Sequence, residues 1–218
     1  MLRMSKSLQI CVLMLLVIGI LCGCAGNNAL DSQYPPHYEK VYESLYGADL
    51  QEVATALGYS LEQLEVDPLL GYTLPGKVSF LDHDFTVCLS TTMSDNKAAL
   101  ISICYYLELD PQTGGKTIEN IGETLQKMFG YQYRSENMEG DGFRDFDPNE
   151  LTAKLNGTEP WTTTIKWLLT EDVDHLPQIG KRNGITLAFK AAYDPANGVP
   201  HIMLTYQYDV VAGNLFVK

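Results

Sequence analysis

Gly115-Lys116-Thr117, set between a strand-like run and a helical one, is the tail of a phosphate-binding loop. The full loop, G-x-x-x-x-G-K-[ST], needs glycine at its first position so that the backbone turns and presents N–H groups to phosphate. Asp110 stands there instead. Its carboxylate repels phosphate and its Cβ hinders the turn. Such a loop also belongs to a parallel sheet whose next strand brings an Asp to magnesium. The later strand-like runs alternate polar and apolar residues, as half-exposed antiparallel strands do. Plainer roles account for every residue. Asp110-Pro111 turns the chain, Gly114-Gly115 loosens it, and Thr117 caps the next helix with Glu119 near its positive end. No nucleotide is expected.

The other polar clusters are no more specific. Asp82-His83-Asp84 has the residue types of a metal ligand set or an acid–base pair, but lacks a third, spaced ligand and falls where a strand-connecting turn is expected. Asp141, Asp145, Asp147 and Asn149 suggest calcium. An EF-hand loop wants Gly at position six and Glu at twelve. From Asp141 position six is Phe146; from Asp145 position twelve is Asn156. Neither register fits. His37, His83, His175 and His201 have no HExxH spacing, and no serine lies in Gly-x-Ser-x-Gly. No metal, cofactor or catalytic residue is assigned. Carboxylate pairs for glycoside hydrolysis are chemically available, but an acidic chain offers many and the sequence does not choose among them.

Cys88 and Cys104 sit in the strand-like runs "FTVCLST" and "ALISICYYLEL". A hairpin centred on Ser94–Lys97 brings them nearly opposite each other on one face. They read either as one disulfide, which an exported protein keeps, or as two small buried thiols. Among 13 Tyr and 2 Trp, Trp167, Tyr206 and Tyr208 read as core. Trp161, after Glu159-Pro160, is the candidate for a surface that meets a sugar ring or a partner protein.

The remaining three of five cysteines lie in "MLRMSKSLQICVLMLLVIGILCGC". Arg3 and Lys6 open it, and an uncharged apolar run from Ile10 to Leu21 follows. This is the layout of an export signal. As a helix the run spans about 18 Å, short of the roughly 30 Å of a bilayer's hydrocarbon core. Leu21-Cys22-Gly23-Cys24 resembles the lipobox of bacterial lipoprotein precursors, Leu-x-Gly/Ala-Cys, with Cys22 a departure from the usual Ala or Ser. The resemblance covers the first 24 residues. It implies cleavage before Cys24, diacylation of its sulfur, and a location on the extracytoplasmic side of the cell membrane. Two acyl chains suffice for stable anchoring where one is marginal.

These features need a body to carry them. Residues 1–23 read as the signal peptide and 24–36, small, polar and ending in Pro35-Pro36, as a tether. Residues 37–110 form a first half and 111–218 a second, with an acidic insertion at 132–160. A short helix ends at Gly47. Asp49–Glu52 opens another that Gly58 closes. Strands follow at 77–81, 85–91 and 99–109. In the second half Ile118, Ile121, Leu125, Met128 and Phe129 recur at helical spacing up to Gly130. Asp147-Pro148 opens a last helix that stops at Asn156-Gly157. Strands are expected at 162–170, 184–193 and 201–210, the last two joined through Asp194–Gly198. Val53, Leu57, Gly58 and Tyr59 match Leu125, Phe129, Gly130 and Tyr131 at one offset, a faint echo of duplication. The expected class is α+β, antiparallel sheets backed by helices in two αβββ halves. Its layout is similar to the duplicated helix-plus-sheet modules of beta-lactamase-inhibitory-protein-like proteins and small outer-membrane assembly lipoproteins, a likeness of architecture without a shared motif.

The chain carries −12 formal charge at pH 7. Removing Arg3 and Lys6 with the leader makes it more acidic still, because all 27 acidic residues lie beyond Cys24. Such a surface repels nucleic acid and anionic headgroups, so the membrane contact must come from the lipid on Cys24. The expected function is a non-catalytic, lipid-anchored protein that binds a protein or glycan of the cell envelope or assists assembly. The alternative is a cell-envelope glycan hydrolase using Asp or Glu.

Overall fold

A computed structural model describes residues 34–68, 70–94, 97–130, 134–136, 147–170, 182–196 and 198–211. Cys24 and residues 132–133 and 137–146 of the acidic insertion lie outside them. Two short helices, α1 (Tyr38–Ser44) and α2 (Leu50–Leu57), lead through a 3₁₀ turn at Leu61–Gln63 into strands β1 (Glu65–Asp67), β2 (Gly71–Phe80), β3 (His83–Ser94) and β4 (Lys97–Glu108). Helix α3 (Gly114–Phe129), strand β5 (Arg134–Glu136), helix α4 (Pro148–Leu155) and strands β6 (Trp161–Thr170), β7 (Arg182–Tyr193) and β8 (His201–Val211) complete the order. Among the described residues no helix is long and apolar enough to cross a membrane.

Local sequence explains the helix ends. Asp49 accepts from the Glu52 amide at 3.0 Å, and Gly58 closes α2 at φ 91°, where a Cβ would be strained. Asp147 accepts from the Asn149 amide at 2.8 Å with Pro148 in the first turn of α4. Thr117 does not cap α3. The helix begins three residues earlier, at Gly114, because Asp110 organises the entry. Its backbone oxygen accepts from Gly114 at 2.7 Å, and its carboxylate accepts from Gln112 at 2.7 Å. Thr117 is thus inside the first turn.

All strand pairs are antiparallel and form one sheet, in the order β1-β2-β3-β4-β8-β7-β6-β5. This corrects the expectation of separate sheets. The meander β2-β3-β4 joins the meander β8-β7-β6 where β4 pairs with β8, from Ser102↔Gln207 to Glu108↔His201. Sequence periodicity marks strands but not which distant ones meet. The short edge strands β1 and β5 were also missed; three residues are too few to alternate.

The two faces of the sheet differ. Tyr72, Leu89, Ile103, Tyr206, Leu187 and Trp167 line up across the strands on one face. Every described α-helix adds to the same hydrophobic core there. Leu50, Val53, Ala54 and Leu57 of α2, and Ile118, Ile121, Gly122 and Leu125 of α3, follow the i, i+3, i+4, i+7 stripe. Tyr38, Tyr105 and Tyr206 interlock beneath α1. The Tyr105 hydroxyl donates to Pro36 O at 2.7 Å and the Tyr46 hydroxyl to Tyr206 O at 3.1 Å.

The glycines of the loop-like stretch serve this packing. A Cβ on Gly114 would lie 2.7 Å from Leu155 Cδ1. One on Gly115 would strike the backbone oxygen of Pro148 and the Thr152 hydroxyl, and lie 2.7 Å from Thr152 N. Asn156 at the end of α4 donates to Pro111 O and accepts from Gln112 Nε2 at 3.2 Å, closing the contact from the other side. Gly115→Ala therefore has to push two helices apart. It is expected to lower unfolding free energy by about 2–3 kcal/mol, measured by denaturant titration, whereas Lys116→Ala, on the exposed side, changes it by less than about 0.5 kcal/mol.

Candidate functional site: the sheet face opposite the helices

Most of the residues singled out from the sequence fall among the described ones. Leu81 and Asp82 form the two-residue β2–β3 turn, both left-handed at φ 51° and 60°, as a type I′ hairpin requires. His83 and Asp84 are already on β3, so Asp82-His83-Asp84 is a hairpin corner. Trp161 is half-buried, on the core side of β6 opposite Tyr193, with Lys154 Nζ 5.9 Å from its ring centroid. Trp167 and Tyr206 are buried in the core, and Tyr208 packs against it half-buried. Asp147 and Asn149 belong to the α4 cap, while Asp141 and Asp145 lie outside the described residues.

Cys88 and Cys104 are brought directly opposite each other on β3 and β4, as the hairpin spacing implied. Both are free thiols, 1 % and 4 % exposed. They face away from the helices. Their row across the sheet reads Thr73, Cys88, Cys104, Thr205, Ala188 and Lys166. Apart from Lys166 at its end it is a line of small side chains, with no described helix above it. Together with Tyr106 the two cysteines form a second, small apolar cluster, against which Leu70 and Met203 pack.

The sulfurs lean apart. The Cys88 thiol donates toward Thr86 O at 3.7 Å, along its own strand. Cys104 Sγ lies in the other direction, 3.6 Å from the Ser102 hydroxyl and 3.7 Å from that of Ser90. Ser90 and Ser102 are themselves an opposed pair. Burial pushes the Cys88 thiol up to about 12, with Cys104 and the Asp67 carboxylate adding to the effect. Next to the cysteines, the His201 ring stacks on Tyr106 with centroids 5.1 Å apart, and His201 Nδ1 lies 3.1 Å from Val199 O. Burial lowers the His201 pKa; the bond to Val199 O opposes this, and Lys190 reinforces it.

This constellation of Cys88, Cys104, Tyr106, His201 and Met203 was not assembled from sequence, because half of it sits on β8 and the β4–β8 pairing spans about a hundred residues. The polar alternation of "HIMLTYQY" was the only signal, and it does not name a partner strand. Among the described residues no group of three or more His, Cys, Asp or Glu side chains is placed to hold a metal ion.

The raised pKa of Cys88 has a definite sign. An acid held protonated by the fold contributes stability that is complete below its unfolded pKa and is lost as pH climbs toward the folded value. Stability is expected to fall between about pH 8.5 and 12, with Cys88→Ala falling less steeply over that window in urea titrations. In the native protein at pH 8, iodoacetamide should leave Cys88 unlabelled until denaturant is added.

The chain matches no protein-family model, no curated protein and no solved structure.

Proposed function

We propose that this is a lipid-anchored extracytoplasmic protein that binds a component of the cell envelope or assists its assembly, without catalysing a reaction. The observation that carries the binding reading is the one-sidedness of the sheet. All described α-helices pack on one face; the other carries Thr73, Ser102 and Thr186, which are buried, Ser90, Thr205 and Gln207, which are half-buried, and the exposed Lys190. A broad hydroxyl-rich face on a rigid antiparallel frame suits a contact surface rather than a deep reaction cleft. The anchor reading rests on Leu21-Cys22-Gly23-Cys24 and on where the body starts. Tyr34 already stacks on Tyr38 at 4.7 Å and the Pro36 carbonyl is held by Tyr105. Confinement at a membrane raises the effective concentration for a second contact.

We further infer that the two αβββ halves arose by duplication. In support, β2, β3 and β4 have 10, 12 and 12 residues, and β6, β7 and β8 have 10, 12 and 11. The sheet order reads alike from either end, and α2 and α3 both end at a glycine with positive φ, Gly58 and Gly130.

Two measurements test the reading. Mass spectrometry of native protein should find an N-terminal diacylated Cys24, and Cys24→Ala should leave the membrane fraction. A photo-crosslinker placed at Thr205 or Lys190 in intact cells should trap one discrete partner, while the same group at Lys127 on α3 should trap none. Trapping only at Lys127 would contradict the assignment of the contact face. A glycan fragment released from an envelope polymer on incubation would favour the hydrolase instead.

A further inference from the structure

We propose that Cys88 and Cys104, with Met203 beside them, form a buried binding site for a soft monovalent metal ion of the Cu(I) class on the face of the sheet opposite the helices. Three sulfur-bearing side chains from three strands are neighbours there. Cys88 and Cys104 are directly opposed, and Met203, on β8, packs against their cluster two residues along from the Thr205 that faces Cys104. Thiolate and thioether ligands select Cu(I). A structural zinc site would want four nitrogen or thiolate donors, and the described residues supply no group of three His, Cys, Asp or Glu.

Spacing favours a bridging ion. Directly opposed side chains on antiparallel strands have Cβ atoms about 4.5–5.5 Å apart, against about 3.5–4.5 Å across a disulfide. In the metal-free chain the sulfurs lean toward opposite neighbours, Cys88 to Thr86 O and Cys104 to Ser90 and Ser102, so both thiols must turn toward each other to share an ion. Two metal–sulfur bonds of about 2.3 Å each allow a wider sulfur–sulfur separation than the single bond of a disulfide. The surroundings also suit a bound ion. The Ser90 and Ser102 hydroxyls lie where they donate to a Cys104 thiolate, the outer-shell support that metal-bound sulfur normally has. Tyr106, 8 % exposed, and Leu70 wall the cluster from water.

Binding is a proton exchange. Two S–H bonds break, two Cu–S bonds form, and two protons pass to solvent, giving a bis-thiolate copper(I) anion with no change of oxidation state. Because the ion displaces protons, affinity rises with pH. The site rests on the body alone and does not depend on the lipid at Cys24.

The test is an anaerobic titration of the full chain in detergent with Cu(I), in competition with a chromogenic Cu(I) chelator. Cys88→Ser/Cys104→Ser serves as the reference, because it keeps every other cysteine. The wild type is expected to take one more Cu(I) per chain than the reference, to release about two protons for it, and to show a thiolate-to-copper absorption band. Met203→Leu, which preserves packing volume, is expected to weaken binding about 10-fold or more, within the range seen when supporting groups of metal sites are removed. Equal copper uptake by wild type and double variant overturns the proposal. So does a native protein in which residues 88 and 104 are already joined as a disulfide.

Discussion

The pairing of β4 with β8 is the constraint on which the rest of the structure depends. It joins two three-stranded meanders that would each present an unpaired edge to water. Seven opposed residue pairs, from Ser102↔Gln207 to Glu108↔His201, make that seam. Ile103, Tyr105, Leu204 and Tyr206 lie along it on the core side, each fully or almost fully buried. Because the seam is central, both helical layers cover one continuous apolar surface, and the core is shared by the two halves. The same seam builds the opposite face, since it sets Cys104 and Tyr106 of β4 against Thr205 and Met203 of β8.

Local order was legible in the sequence and the seam was not. Asp49, Gly58, Asp147 and Pro148 announce their helix ends because capping is decided within four residues. The β3–β4 hairpin could be counted from Ser94–Lys97, and that counting placed Cys88 opposite Cys104. The strand expected at 77–81 is longer in the structure, Gly71–Phe80, and includes Pro75 and Gly76. In the structure they sit in the β2 irregularity between Thr73 and Lys77, with Gly76 at φ 78°. Gly114-Gly115 was read as loop looseness. Its cause is three-dimensional: α4 crosses there, and no spacing within the chain records that crossing.

The two faces of the sheet divide the work of the protein. One is apolar, covered and set by helices α1 to α4. The other carries hydroxyls, two thiols, a thioether and a stacked Tyr106–His201 pair, and is free of described helices. The strands hold the second face in fixed register, with Thr73, Ser102, Thr186 and both cysteines buried and Lys190 exposed. The buried, protonated state of Cys88 is consistent with the same picture, a polar face whose most reactive atoms are held back until something replaces their protons.

Native-state hydrogen exchange across β4 and β8 bears most directly on the claim that one seam unites both halves in one core. The amides of Ile103, Tyr105, Leu204 and Tyr206 should be the slowest in the chain. Their opening free energies should match those of Phe85 in the first half and Phe189 in the second, and equal the global unfolding free energy. Exchange of one half through an opening that leaves the other protected would contradict it, and would mean two cores joined at an edge.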